Sequence, residues 1–291
     1  MKYFSELTYD VNTDNVTELV EACEGEVEDL TNNETRSTLF SLLDITSLSE
    51  KDNATTIGKL CDKVNMLTES YPELPSPAAV CVYPEWVPIA KAKLSNPLVN
   101  VASVGAGFPA SQTFLEIKLK EVEMAVEAGA DEVDIVIPVG KFISGLTDEV
   151  FEEIRSIKEI MGPLHLKVIL ETGSLPGLSD VRKAAILAMD AGADFIKTST
   201  GKAGSGAHPD SFSVMCLAIR DFYEKTGKKV GIKPAGGIST TADAIEYLSI
   251  VKHILGNEWL NPEKFRIGAS RLSNHLIREI FKKDDTFSYF D

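Results

Sequence analysis

The chain has 291 residues, 44% of them hydrophobic, and a formal charge of −15. That is enough apolar material for a large core, while no apolar run reaches the length of a transmembrane helix. The acidic balance argues against nucleic acid as a partner. The opening Met1-Lys2-Tyr3-Phe4-Ser5-Glu6 lacks the basic-then-apolar layout of a signal peptide, so the expected location is the cytosol. Cys23, Cys61, Cys81 and Cys216 form no C-x-x-C pair, and His165, His208, His253 and His275 have no metal-ligand spacing. Reduced thiols and no metal are expected.

Residues 10–34 carry nine acids (Asp10, Asp14, Glu18, Glu21, Glu24, Glu26, Glu28, Asp29 and Glu34) and no lysine or arginine. A solvated acidic helix and loop is one reading; a docking segment for a basic partner is the other. From residue 36 the chain alternates short apolar runs with helical patterns. Strands are expected at Leu39–Ile45, Ala78–Tyr83, Val99–Val104, Glu132–Pro138, Leu166–Glu171, Phe195–Ser199, Val230–Lys233 and Phe265–Gly268. The periodicity between them predicts helices over Thr55–Glu69, Trp86–Leu94, Gln112–Ala128, Asp148–Met161, Ser179–Ala191, Pro209–Lys225, Thr241–Val251 and Ser270–Phe281.

Eight strands each followed by a helix is the count of a (β/α)8 TIM barrel, in the α/β class. The repeats Glu127-Ala128-Gly129-Ala130-Asp131 and Asp190-Ala191-Gly192-Ala193-Asp194 fit the glycine-ended helix-to-strand loops of that fold. A doubly wound open sheet is the alternative, but no G-x-G-x-x-G turn follows the first strand. The expected organisation is an acidic N-terminal extension (1–35, helical and packed on the barrel), the barrel (36–283) and a C-terminal tail (284–291).

Two lysines carry the chemistry. Lys197 and Lys233 sit in short apolar strands that run into glycine-rich turns, Thr200-Gly201-Lys202 and Pro234-Ala235-Gly236-Gly237. A lysine in such a strand loses water, which lowers its pKa, as does a second cation nearby. The neutral amine attacks carbonyls, so the pair points to Schiff-base chemistry. Snorkelling to the strand end is the bland alternative.

Strand parity extends the set. Asp44, Asp134, Lys167, Lys197 and Lys233 fall on one parity and point inward, while the opposite parity (Leu43, Ile45, Val133, Ile135, Val168, Leu170, Ile196) is aliphatic. Such buried charges must pair with one another. They form a reactive site, or a purely structural ion cluster. Cys81 also faces inward, as a small core residue or as a thiol open to aldehyde attack. Gly236-Gly237 and Gly268-Ala269-Ser270 end strands seven and eight, where barrels of this kind hold phosphate.

Asp131 to Asp134, Leu166 to Gly173, Asp194 to Lys202, Lys233 to Gly237 and Arg266 to Ser270 together resemble deoxyribose-phosphate aldolase. Leu42 to Thr46 and Ala79 to Pro84 are similar to the same family's first two strands, so the likeness runs in order from about residue 38 to 275. The resemblance implies a class I aldolase, with no metal and no other cofactor, that reversibly cleaves 2-deoxy-D-ribose 5-phosphate to D-glyceraldehyde 3-phosphate and acetaldehyde. It implies Lys197 as the imine-forming nucleophile, Lys233 as the cation that depresses its pKa, and Asp134 as the group that moves protons through a water. Lys167 and Asp44 would complete the network, and Gly201, Lys202, Gly236, Gly237, Gly268 and Ser270 would hold the phosphate. A homo-oligomer, a dimer foremost, is also implied.

Two positions depart from the family's pattern. Arg271 stands where the family has a small hydroxyl residue; it can grip phosphate bidentately or turn outward and leave one phosphate contact missing. The family's tail often ends in a tyrosine that assists proton transfer, whereas here Tyr289 is third from the end and an acid follows. Two rival functions are a different lysine aldolase, and a barrel that binds or scaffolds a partner through its acidic N-terminal segment.

Overall fold

The computed structural model describes residues 1–290. Eight parallel strands alternate with helices: β1 Leu43–Thr46, β2 Ala79–Val82, β3 Asn100–Gly105, β4 Glu132–Val136, β5 His165–Ile169, β6 Phe195–Lys197, β7 Gly231–Lys233 and β8 Ile267–Gly268. Hydrogen-bonded neighbours run β7-β6-β5-β4-β3-β2-β1-β8. The parallel bridges Ile232↔Phe265 and Ala235↔Gly268 join the two ends. The expected TIM barrel is therefore present. In β4 both faces are buried throughout, as expected of a parallel strand covered by helices outside and side chains inside.

The outer layer holds α4 (Ala54–Ser70), α5 (Val87–Lys93), α6 (Leu115–Glu127), α7 (Val139–Ile143), α8 (Thr147–Met161), α9 (Leu178–Asp190), α10 (Pro209–Thr226), α11 (Thr241–Leu255) and α12 (Arg271–Phe281). Reciprocal caps fix two starts: Asn53 with Thr56 opens α4, and Thr240 with Asp243 opens α11. Before the barrel come α1 (Thr13–Gly25), α2 (Val27–Leu30) and α3 (Asn33–Ser41). Helix α1 buries Val16, Val20 and Cys23 against α10 and α11, which leaves Glu18, Glu21 and Glu24 in solvent. The backbone N–H groups of Tyr3 and Phe4 donate to Asp190.

The first strand is shorter than its apolar run. Leu39 to Ser41 are helical, and the strand begins only at Leu43. The Asn32 side chain caps α3 by accepting from the Thr35 N–H. Leu39, Phe40 and Leu42 are fully buried, and periodicity alone cannot separate a buried helix end from a buried strand.

The barrel interior is divided. The inward faces of β2 and β3 present Ala79, Cys81, Ala102 and Val104, which pack with Leu48 and are partly covered by Tyr83 and Phe108. The remaining strands bring charged groups inward. Among these sits Phe195, register-paired with Gly231. A Cβ at position 231 would lie 2.3 Å from the Phe195 ring, so only glycine leaves the ring its place. Gly231→Ala should lower stability by about 1–3 kcal/mol through overpacking. A denaturant melt checks this; an unchanged midpoint would mean that the ring has room to move.

Candidate active site

Three carboxylates and four cations meet inside the barrel. Asp134 on β4 accepts from Lys167 (3.0 Å) through Oδ1, and from Lys197 and Lys233 (2.9 Å each) through Oδ2. Lys233 also donates to Asp44 Oδ2 at 2.5 Å. Lys167 reaches Glu132, and Arg266 bridges Asp44 Oδ1 and Glu132 Oε1 at 2.8 Å each. All seven side chains are at most 3% exposed as residues. The five inward charges expected from parity thus converge, but Glu132 and Arg266 belong with them. Glu132 shares the parity of Asp134, and Arg266 shares that of Gly268 on β8; both signals were in the sequence.

The charges account for the state of Lys197. Asp44, Glu132 and Asp134 carry three negative charges, and Lys167, Lys233 and Arg266 carry three positive ones. A protonated Lys197 would leave one buried positive charge uncompensated. Burial, followed by the Lys233 cation, outweighs the pull of Asp134 and holds the Lys197 pKa below the ordinary lysine value. Burial is thus the larger depressing influence and Lys233 the smaller. Lys233 moves the other way: burial lowers its pKa, but Asp134 and Asp44 more than offset this, so it stays protonated. Burial opposes ionisation of Asp134 as well, yet its three lysines drive its carboxyl well below the usual range.

Lys197 alone of the seven lines the cleft at the C-terminal mouth of the barrel, about 580 Å³ in volume. Gly201, Lys202, Gly236, Gly237, Gly268, Ser270 and Arg271 line it too, together with the loop from Thr46 to Glu50 after β1. The turns need their glycines. Gly201, Gly236 and Gly237 have φ of 74°, 84° and 84°. Gly268 leaves space for the Lys233 stem, since a Cβ there would lie 3.2 Å from Lys233 Cε and 2.8 Å from the Ala235 side chain. Thr198 ties two turns together, donating to the Ala235 carbonyl and accepting from the Ala235 N–H. Lys202 donates to the Leu48 carbonyl (2.5 Å), and Ser270 to the Thr46 carbonyl (2.5 Å).

Tyr289 lies outside the cleft lining. Its hydroxyl donates to the Lys63 carbonyl at 2.9 Å, and its ring packs on Tyr71 and Phe290. Asp291 lies outside the described residues. Cys81 is fully buried, and burial pushes its thiol up to about 11, so it is no ready nucleophile. Among the described residues no cluster of three or more metal-ligating side chains occurs.

Residues 38–256 match the DeoC/LacD family aldolase. The chain belongs to that family. It is 44% identical over 255 residues to the deoxyribose-phosphate aldolase of Homo sapiens, covering 83% of this chain and 79% of the human one. The mouse (Mus musculus) deoxyribose-phosphate aldolase is 43% identical over 255 residues, with the same two coverages. The structure of the tetrameric deoxyribose phosphate aldolase from Aeropyrum pernix superposes with a TM-score of 0.64 at 24% identity, over 89% of this chain and 97% of that one, and so bears on the fold alone. Lys197, the buried lysine that lines the cleft, is the one of the three interior lysines whose pKa is lowered. No helix among the described residues is long and apolar enough to cross a membrane.

Proposed function

We propose that the protein is a class I aldolase that reversibly cleaves 2-deoxy-D-ribose 5-phosphate to D-glyceraldehyde 3-phosphate and acetaldehyde. The observation that carries this reading is Lys197, buried, lowered in pKa and open only to a cleft ringed by phosphate-suited turns. Neutral Lys197 Nζ attacks C1 of the open-chain sugar, and loss of water with uptake of one proton gives an iminium. The C2–C3 bond then breaks and its electron pair moves to the nitrogen as an enamine, while the C3 hydroxyl proton leaves to a base. Glyceraldehyde 3-phosphate departs. Protonation of the enamine carbon and hydrolysis release acetaldehyde and return the amine.

The network supports these steps electrostatically. The iminium adds one positive charge to a charge-balanced interior, and bond cleavage discharges it, which favours the enamine. Asp134 holds the nitrogen and, as a firm carboxylate, stabilises the cation. Asp134, beside the reacting nitrogen, is the group proposed to order the water that relays protons. Lys233 stays charged and, after burial, helps hold the pKa of the free amine down. Gly201, Lys202, Gly236, Gly237, Gly268 and Ser270 are the proposed phosphate cradle. Arginine at 197 would stay protonated and could not attack.

Borohydride reduction in the presence of 2-deoxyribose 5-phosphate should leave a stable adduct on the peptide containing Lys197, read by mass spectrometry. A folded protein that acetaldehyde also fails to label would sink the proposal. We further propose a cytosolic homodimer. Phe114, Ile117 and Met124 are exposed along α6 at helical spacing, the kind of apolar surface that a second copy covers. Sedimentation at micromolar concentration should give twice the chain mass; a monomer there would count against assembly.

A further inference from the structure

We propose that Arg271 grips the substrate's phosphate directly and sets the preference for phosphorylated over unphosphorylated sugars. This deepens the aldolase reading and rests on it for the identity of the sugar. Arg271 is the first residue of α12, is exposed, and lines the cleft beside Gly237, Ser239 and Ser270. The other six arginines each hold a hydrogen-bonded partner: Arg36 with Glu279, Arg155 with Glu152, Arg182 and Arg220 with Asp221, Arg266 with Asp44, and Arg278 with the Phe287 carbonyl. Arg271 has neither a hydrogen bond nor an ion pair among the described residues. Its five N–H donors are free beside a cleft whose other side-chain donors are partly committed, Lys202 to Leu48 and Ser270 to Thr46.

A neighbouring acidic hollow makes this position matter more. A hollow of about 530 Å³ adjoins the cleft through Ser49 and Glu50, and its lining carries Glu50, Asp52, Glu85 and Glu121. A phosphate dianion is repelled there, and the whole chain carries −15. Attraction must come from the cations that line the cleft itself, Lys202 and Arg271. A planar guanidinium also matches two phosphate oxygens at once, which fixes the direction of the sugar as well as holding it.

The test is Arg271→Ser, with Arg271→Lys beside it. KM for 2-deoxyribose 5-phosphate should rise roughly 10- to 100-fold in the serine variant, with kcat within about two-fold of wild type. KM for unphosphorylated 2-deoxyribose should stay the same in both variants. The lysine variant should fall between, because it restores charge without the two-pronged contact. Equal losses for the two sugars, or no loss for either, would overturn the proposal. Calorimetry with inorganic phosphate decides it without turnover: wild type should bind, and Arg271→Ser should bind about ten-fold or more weakly. A wild type that does not bind phosphate, or a serine variant that binds it equally well, overturns it. Absent turnover with intact phosphate binding would instead count against the aldolase reading.

Discussion

Lys197→Leu should lose turnover of 2-deoxyribose 5-phosphate by at least about four orders of magnitude, because no other group can form the covalent intermediate. The same change should not unfold the barrel. The other six charges balance without Lys197, and leucine replaces the neutral stem with an apolar group of similar volume. Removing a surplus buried amine in this way is often neutral or stabilising. The thermal midpoint should therefore stay level or rise. Lys197→Arg should separate charge from chemistry: it should be equally inactive but less stable, since guanidinium imposes the fourth positive charge at every accessible pH. Assay, borohydride trapping and a melt on the three proteins test the argument. Residual turnover above about one per cent of wild type in Lys197→Leu would name a different nucleophile, with Lys233 the first suspect.

Lys233→Leu should be the second most damaging change, through a different route. It takes away the cation that helps depress the Lys197 pKa and leaves Asp44 and Asp134 short of a partner. Three carboxylates then face Lys167 and Arg266, and a proton on Lys197 restores the balance. The sign follows directly. The Lys197 pKa rises, its neutral fraction at pH 7 falls, and the acid limb of kcat/KM moves to higher pH. Each unit of upward shift costs about ten-fold in neutral amine below the pKa, so turnover at pH 7 should fall clearly below wild type. Raising the pH should recover part of it. Stability should fall as well, by up to about 3–5 kcal/mol where the lost charge is not replaced. A profile with an unmoved acid limb but depressed kcat would show that Lys233 takes part in the chemistry itself rather than in tuning the amine.

Much of this protein was legible before folding was considered. Strand periodicity and glycine-ended helices gave the eight βα units, because a parallel barrel writes the same alternation into each unit. Parity within strands placed Asp44, Asp134, Lys167, Lys197 and Lys233 on inward faces, because side chains on a strand alternate whatever surrounds it. Helix and strand remained confused at Leu39 to Ser41, where Leu39 and Phe40 are both buried and the apolar pattern has lost its period. Glu132 and Arg266 had the right parity, but their membership in the cluster is a matter of reach across strands, and reach is a tertiary quantity.

Other features belong to the tertiary structure alone. The charge balance that leaves Lys197 as the surplus cation depends on which side chains share one enclosed volume, and no local pattern counts them. Gly231 owes its identity to the ring of Phe195, 36 residues earlier in the chain and adjacent only across the β6–β7 register. Arg271 had two readings in the sequence, toward phosphate or toward solvent; its place in the cleft lining was decided by how α12 leaves β8. Tyr289 was placed by packing on Tyr71 and by the carbonyl of Lys63, contacts that a tail sequence cannot announce. The sequence determined which residue types face inward, since that follows from backbone geometry. The fold decided which of them meet, since contact, burial and net charge are properties of the assembled volume.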